Sequence, residues 1–243
     1  MFMLLSLVLA GCDHHHPVNT VELFNKGNAA YKSGDYKSAA ELYQTIVNAG
    51  FASEALYYNL GNCFMKEGQI GGAVLWYERA LRLQPRDGDL RSNMSYAEGM
   101  IKNPEPEETK NFSSRLFIHL KGVTLDEIVV ILTVLLAGVS VLILAGLFLK
   151  WKFKKTVAVV GLLSLLFIFH IFALFAKIDS LQDRAIIISS TEVKYEPEEK
   201  ATTYFTAYEG WKVRYLKESS GWAKIERPDG LQGWIPKDKL ERI

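Results

Sequence analysis

The stretch LGNCFMKEGQIGGAVLWYERALRLQP, residues 60–85, decides how this chain is built. Slid against the residues before it, it meets its own pattern 34 residues earlier: Gly27 aligns with Gly61, Gly34 with Gly68, Ala39 with Ala73 and Tyr43 with Tyr77. A repeat of this length is one supersecondary unit that cannot bury its apolar face alone and must stack on a neighbour. Gly27 and Gly61 let the two helices of a unit approach closely, Ala39, Ala73 and Ala80 stand where a larger side chain would clash, and Pro85 stops the second helix. All of these are packing residues. Two units leave an apolar end uncovered, and Asp87 to Asn103, with Leu90, Met94, Ala97 and Ile101 at helical spacing, is expected to cap it as a fifth helix.

The period, together with Leu60, Gly61, Phe64, Ala73, Tyr77, Ala80 and Pro85, resembles the tetratricopeptide repeat, with copies at 20–53 and 54–87 inside a unit spanning 20–103. That resemblance implies a concave groove lined by the first helix of each copy. Phe24, Asn28 and Tyr31, then Tyr58, Asn62 and Met65, stand at matching positions with Asn59 nearby. Asparagines can clamp a peptide backbone while aromatics bury its side chains; the plainer alternative is that Asn and Tyr are consensus residues there. The variety of this family that grips a terminal carboxylate needs basic residues where Phe24 and Asp89 stand. Cys63, between Asn62 and Phe64, is expected to be a buried structural thiol.

The 243 residues carry a net charge of +1, and no Lys/Arg stripe interleaved with aromatics marks a nucleic-acid surface. Two cysteines in dissimilar settings define neither a disulfide framework nor a thiolate zinc site. The apolar run Met1–Ala10 leads into Leu9-Ala10-Gly11-Cys12, which resembles a bacterial lipobox and makes residues 1–12 a signal-like segment. Lipidation of Cys12, a cleaved signal and an uncleaved anchor all place the following segment outside the cytoplasm. The tract His14-His15-His16 offers a metal no fixed geometry.

Residues 104–127 read as an acidic, proline-bearing linker followed by a short helix, Phe112 to Lys121, that would lie in a membrane surface. Residues 128–149 and 156–176 are each long and apolar enough to cross a bilayer, and Thr124-Leu125-Asp126-Glu127 is a capping-box pattern before the first. The connection at 150–155 holds four lysines and Trp151, so the positive-inside rule puts it in the cytoplasm and both flanking domains in the periplasm of a bacterial inner membrane. His170 is the one ionisable group deep in a span and is expected to be neutral, in the interface of the hairpin.

Short strands are expected from Arg184 onward, at Ala185–Ile188, Glu192–Tyr195, Lys212–Leu216, Trp222–Ile225 and Gly233–Pro236. Turns are marked by Glu209-Gly210, Ser219-Ser220-Gly221 and Pro228-Asp229-Gly230. Residues 184–243 resemble the bacterial Src-homology-3-type barrel. Tyr195 and Trp211 are its candidate binding face, and Trp222 is expected to fill its core. The fold class is thus a multidomain chain: an all-α repeat solenoid, a two-helix transmembrane hairpin and a small all-β barrel.

No nucleophile with its base, paired carboxylates, metal-ligand spacing or phosphate loop appears; Gly68-Gln69-Ile70-Gly71-Gly72 is the turn inside a repeat, with no Lys-Ser/Thr after it. Neither enzymatic activity nor a cofactor is expected. The order of parts, carried best by YYNLGNCFMKEGQIGGAVLWYERALRLQPRDGDLRSN (57–93) and EGWKVRYLKESSGWAKIERPDGLQGWIP (209–236), resembles the BatE family of the Bacteroides aerotolerance group. The resemblance implies a scaffold acting with membrane proteins that bear von Willebrand factor A-type domains and with a MoxR-type ATPase, in aerotolerance or envelope stress. The alternative is a cell-wall sensor or anchor whose barrel binds peptidoglycan.

Overall fold

The computed structural model describes residues 19–104, 123–148, 153–181 and 183–243. The signal-like segment with Cys12 and the histidine tract, the helix expected at Phe112–Lys121, and residues 150–152 of the connection lie outside the described residues.

Five helices form the repeat stack: α1 (Thr20–Lys32), α2 (Tyr36–Asn48), α3 (Glu54–Lys66), α4 (Ile70–Leu83) and α5 (Gly88–Gly99). Each packs on the next in the chain. Asn19, Asp35, Ser53 and Asp87 start α1, α2, α3 and α5 by accepting a backbone N–H of the first turn, satisfying a donor with no partner inside the helix. At α4 the capping residue, Gln69, makes no such bond. The repeat recurs in the packing. A Cβ on Gly27 would lie 2.5 Å from the Tyr43 ring, and one on Gly61 2.4 Å from the Tyr77 ring, so each glycine is the hollow into which its tyrosine fits. Ala39, Ala73 and Ala80 are fully buried.

Next come α6 (Leu125–Phe148) and α7 (Phe153–Leu181). The capping box at the head of α6 is reciprocal: the Thr124 N–H donates to Glu127 Oε2 at 2.9 Å and the Glu127 N–H to Thr124 Oγ1 at 3.2 Å. Within these helices Leu125–Gly146 and Val157–Phe175 have mean hydropathies of 3.1 and 2.7 and are long and apolar enough to cross a membrane. Only 6% of each window is buried, so the pair covers little of its own apolar surface. Phe153, Lys154 and Lys155, expected in the connection, already belong to α7. His170 Nδ1 pairs with the Leu166 carbonyl of its own helix at 2.8 Å.

The C-terminal unit is a seven-stranded antiparallel sheet: β1 (Arg184–Ile187), β2 (Thr191–Lys194), β3 (Thr203–Ala207), β4 (Lys212–Ser219), β5 (Trp222–Glu226), β6 (Gln232–Pro236) and β7 (Leu240–Arg242), in the order β3-β2-β6-β5-β4-β1-β7. The strands β3 and β7 join the five read from the sequence. Ser220 and Gly221, with φ of 50° and 81°, make the tight turn between β4 and β5. Ala185, Ile187, Val193, Trp211, Val213, Ile225 and Ile235 belong to one core. Along β1 the side chains alternate, yet both sides are buried: Ala185 and Ile187 enter this sheet core, whereas Ile186 is fully buried in the core of the repeat stack. The two units therefore meet along β1. Trp222 corrects the expectation of a core residue: it is half-buried, as is Trp234, while Ala223, Ile225, Gly233 and Ile235 point inward.

Candidate functional site

The candidate groove begins with two hydrogen-bonded clusters that share the period of the sequence. The Tyr43 hydroxyl donates to Asn28 Oδ1 at 2.6 Å, and Asn59 Nδ2 donates to the same oxygen at 3.2 Å. One repeat on, the Tyr77 hydroxyl donates to Asn62 Oδ1 at 2.7 Å and Asn93 Nδ2 donates to it at 3.3 Å. Asn93 Nδ2 also donates to the Tyr58 hydroxyl at 2.9 Å. Tyr43 and Tyr77 are essentially inaccessible to solvent, so without the asparagine oxygens their O–H donors would be buried without an acceptor. Asn28, Asn59 and Asn62 thus tie one helix pair to the next. The carbonyls of Asn28 and Asn62 and the Nδ2 of Asn59 are engaged, and the Nδ2 groups of Asn28 and Asn62 are the donors that remain for a ligand.

Phe24, Tyr31, Tyr58 and Met65 are half-buried and pack against the repeat core, each keeping part of its surface toward solvent. The Tyr31 ring meets Tyr36 edge-on at 5.1 Å, and burial pushes its hydroxyl above the usual tyrosine range. Extending the 34-residue register past Tyr58, Asn62 and Met65 gives Ser92, Tyr96 and Gly99. These three line an open depression on α5 together with Arg91, Ser95 and Met100. Tyr96 is 65% exposed and Met100 45% exposed. α5, expected as a cap, also carries the register of the candidate groove into a third row.

Cys63 lies at the centre of the stack, fully buried, and desolvation pushes its thiol up to about 12. Burial pushes Tyr43 up to about 12 as well, and raises Tyr77 further. None of the three is poised for chemistry at neutral pH.

The candidate face on the C-terminal unit separates into two parts. Tyr195 is 56% exposed and stacks on Tyr204 with ring centroids 4.4 Å apart, so it presents an accessible aromatic surface. Trp211 does not: it is only 4% exposed, its ring packs edge-on to Tyr208, and its Nε1 donates to the Asn103 carbonyl at the end of the repeat stack. An indole that crosses to the repeats offers no face to a ligand, and this corrects its place in the candidate surface. Among the described residues, no group of three or more His, Cys, Asp or Glu could hold a metal ion.

A tetratricopeptide repeat family model matches residues 24–88, the segment that carries the first two rows of the candidate groove. The chain therefore contains tetratricopeptide repeats, an architecture suited to protein–protein interaction. No curated protein matches it.

Proposed function

We propose that this chain is a non-enzymatic scaffold of the bacterial inner membrane whose repeat groove holds a segment of a partner protein. The observation that supports the proposal is the open depression at the end of the stack, where Tyr96 on α5 and Met100 just after it are open to solvent beside Ser92 and Gly99, in register with the two candidate rows before them. Large aromatic and apolar side chains exposed together in a depression suit a surface that is covered in use. The apolar surface of α6 and α7 supports a membrane-spanning hairpin, since water would hydrate it at high cost. The lysine-rich connection supports a cytoplasmic turn with repeats and sheet in the periplasm. Resemblance to the BatE family extends the proposal to partners bearing von Willebrand A-type domains, in a MoxR-linked aerotolerance or envelope-stress complex.

The test is a crosslinked pull-down from native membranes, comparing the wild-type chain with Tyr96→Ala/Met100→Ala. These side chains are exposed, so their truncation leaves the repeat core intact. Loss of the same membrane proteins from the variant is the expected result; equal recovery with both would remove the groove from the contact surface.

The exposed Tyr195–Tyr204 stack favours a second reading, in which the C-terminal unit also binds peptidoglycan peptides through aromatic contacts. On that reading the purified protein sediments with isolated cell wall and Tyr195→Ala releases it. Failure of the wild type to sediment would end the reading.

A further inference from the structure

The surface of the C-terminal unit that meets the repeats is built as a lock. Gly71, in the first turn of α4, donates its N–H to Glu209 Oε1 at 2.8 Å. The helix that lacks a cap of its own is thus capped by a carboxylate 138 residues away, where negative charge also suits the helix N-terminus. A Cβ on Gly71 would lie 2.6 Å from the Ile187 carbonyl oxygen and 2.9 Å from Ile188 Cα, both backbone atoms that cannot step aside. A Cβ on Gly210, beside the capping glutamate, would lie 2.8 Å from the Ile101 side chain.

Charge continues the contact along α4. Lys212 Nζ pairs with both Glu78 and Glu98. Burial opposes its charge, but the two carboxylates hold its pKa above the usual lysine range. Arg79 reaches Glu241 at 3.1 Å and the Arg242 carbonyl at 2.6 Å. On α5, Glu98 stands two residues from the groove position Tyr96, about 200° around the helix. The docked sheet therefore lies on the side away from the groove. A second tie runs to the hairpin, where Arg86 grips Glu127 with two hydrogen bonds of 2.8 and 3.0 Å, and Glu127 is the residue that closes the capping box of α6.

The covalent connections are unequal. Only residues 182 and 183 separate α7 from β1, whereas eighteen residues, 105–122, lie between the described end of the repeats and Val123. Fully extended, that length of chain spans about 60 Å.

We propose that the C-terminal unit is the mount of the repeat domain: its docking surface takes the repeats of its own chain as ligand. With the Arg86–Glu127 tie, it holds the groove in one orientation at the membrane surface. The docking does not depend on what the groove binds, and its placement at a bilayer rests on the membrane-spanning reading of α6 and α7. The mount restricts groove partners to proteins that present their segment close to the membrane.

The test uses the full chain in native membranes and a zero-length carbodiimide, which joins an amine to a carboxylate already in contact. Peptide mapping of the wild type is expected to show Lys212 joined to Glu78 or Glu98, with the Lys26–Glu22 pair inside α1, 2.6 Å apart, as internal control. Gly71→Ala favours the helix by propensity but not the dock, so it is expected to cut the cross-domain product at least fivefold and leave the control unchanged. Lys212→Glu is expected to abolish the product and Lys212→Glu/Glu78→Lys to restore a link between positions 78 and 212, which an unfolded variant could not do. Energy transfer to headgroup-labelled lipid, from a dye at Lys37→Cys in a Cys12→Ser background in nanodiscs, then reads the placement: one narrow distance in the wild type and a broad distribution in Gly71→Ala. A cross-domain product absent from the wild type while the control forms, or undiminished by Gly71→Ala, overturns the docking. Equal breadth in both chains overturns the mount. Release of the protein by carbonate extraction would instead overturn the membrane reading while the crosslink still reports on the dock.

Discussion

Asn62 and Tyr77 form the pair on which the structural account of the groove asparagines can be broken. Asn62→Ala removes the acceptor of the Tyr77 hydroxyl and of Asn93 Nδ2 at once and leaves a hydroxyl on a side chain only 1% exposed without a partner. A lost hydrogen bond plus a buried unsatisfied donor costs about 2–3 kcal/mol. Tyr77→Phe removes the donor with its bond and costs about 1 kcal/mol, because nothing polar is stranded on the tyrosine side. In the double variant the stranded hydroxyl is gone, so its cost should be about 2 kcal/mol, with a coupling of about 1–2 kcal/mol between the two positions. Chemical denaturation of the detergent-solubilised chain, followed by helix circular dichroism, measures all four corners of the cycle. Strictly additive single effects would refute the cluster as an energetic unit and return Asn62 to the ligand. The pair also determines which variants are informative about binding: Asn62→Ala confounds lost contact with lost stability, and Tyr96→Ala does not.

Gly61→Ala places a methyl group 2.4 Å from the fully buried Tyr77 ring; the overpacking should cost about 1–3 kcal/mol and lower the melting temperature by several degrees. Ile186→Ala opens a void in the repeat core from the far end of the chain and should destabilise the helices by about 2–4 kcal/mol, measured as a lower denaturation midpoint of the helix signal. Cys63 and Tyr43 both have folded pKa values raised, to about 12, so the folded state holds protons that the unfolded chain releases from about pH 9 upward. Stability is therefore fully present below pH 9 and is lost as pH climbs toward 12. Cys63→Ala should delay the onset to about pH 10, where unfolded tyrosine begins to ionise, as read from denaturation midpoints across a pH series.

The repeat stack was legible because packing, not function, fixes its residues: a tyrosine fits a glycine hollow only at one spacing, and that spacing shows twice in 68 residues, 20–87. The third row of the groove was equally present at the same register, but Ser92, Tyr96 and Gly99 lack the consensus side chains that would have drawn attention to it. The strand β3 lies after a charged segment at the edge of the sheet, and β7 is only three residues long, so neither had a pattern strong enough to separate it from a loop. The orientation of Trp211 is hidden from the sequence for a different reason. Its partner, Asn103, lies 108 residues away, and no local periodicity records which way an indole turns. Two traces of the docking were nevertheless in the sequence. Ala185-Ile186-Ile187-Ile188 is apolar without alternation, as a strand buried on both faces must be. The residues of α4 that meet the sheet, Gly71, Glu78, Arg79 and Arg82, also depart from their counterparts one repeat earlier, Lys37, Gln44, Thr45 and Asn48.

Because Ile186 completes the core of helices made about a hundred residues before it, the order of synthesis matters. At ribosomal speeds of about 5–20 residues per second, the nascent repeats spend about 5–20 seconds with that apolar flank uncovered while the two long apolar helices are being translated. During that interval the flank is the exposed surface a folding helper would recognise, and the chain is vulnerable to premature pairing with another copy until its last sixty residues arrive.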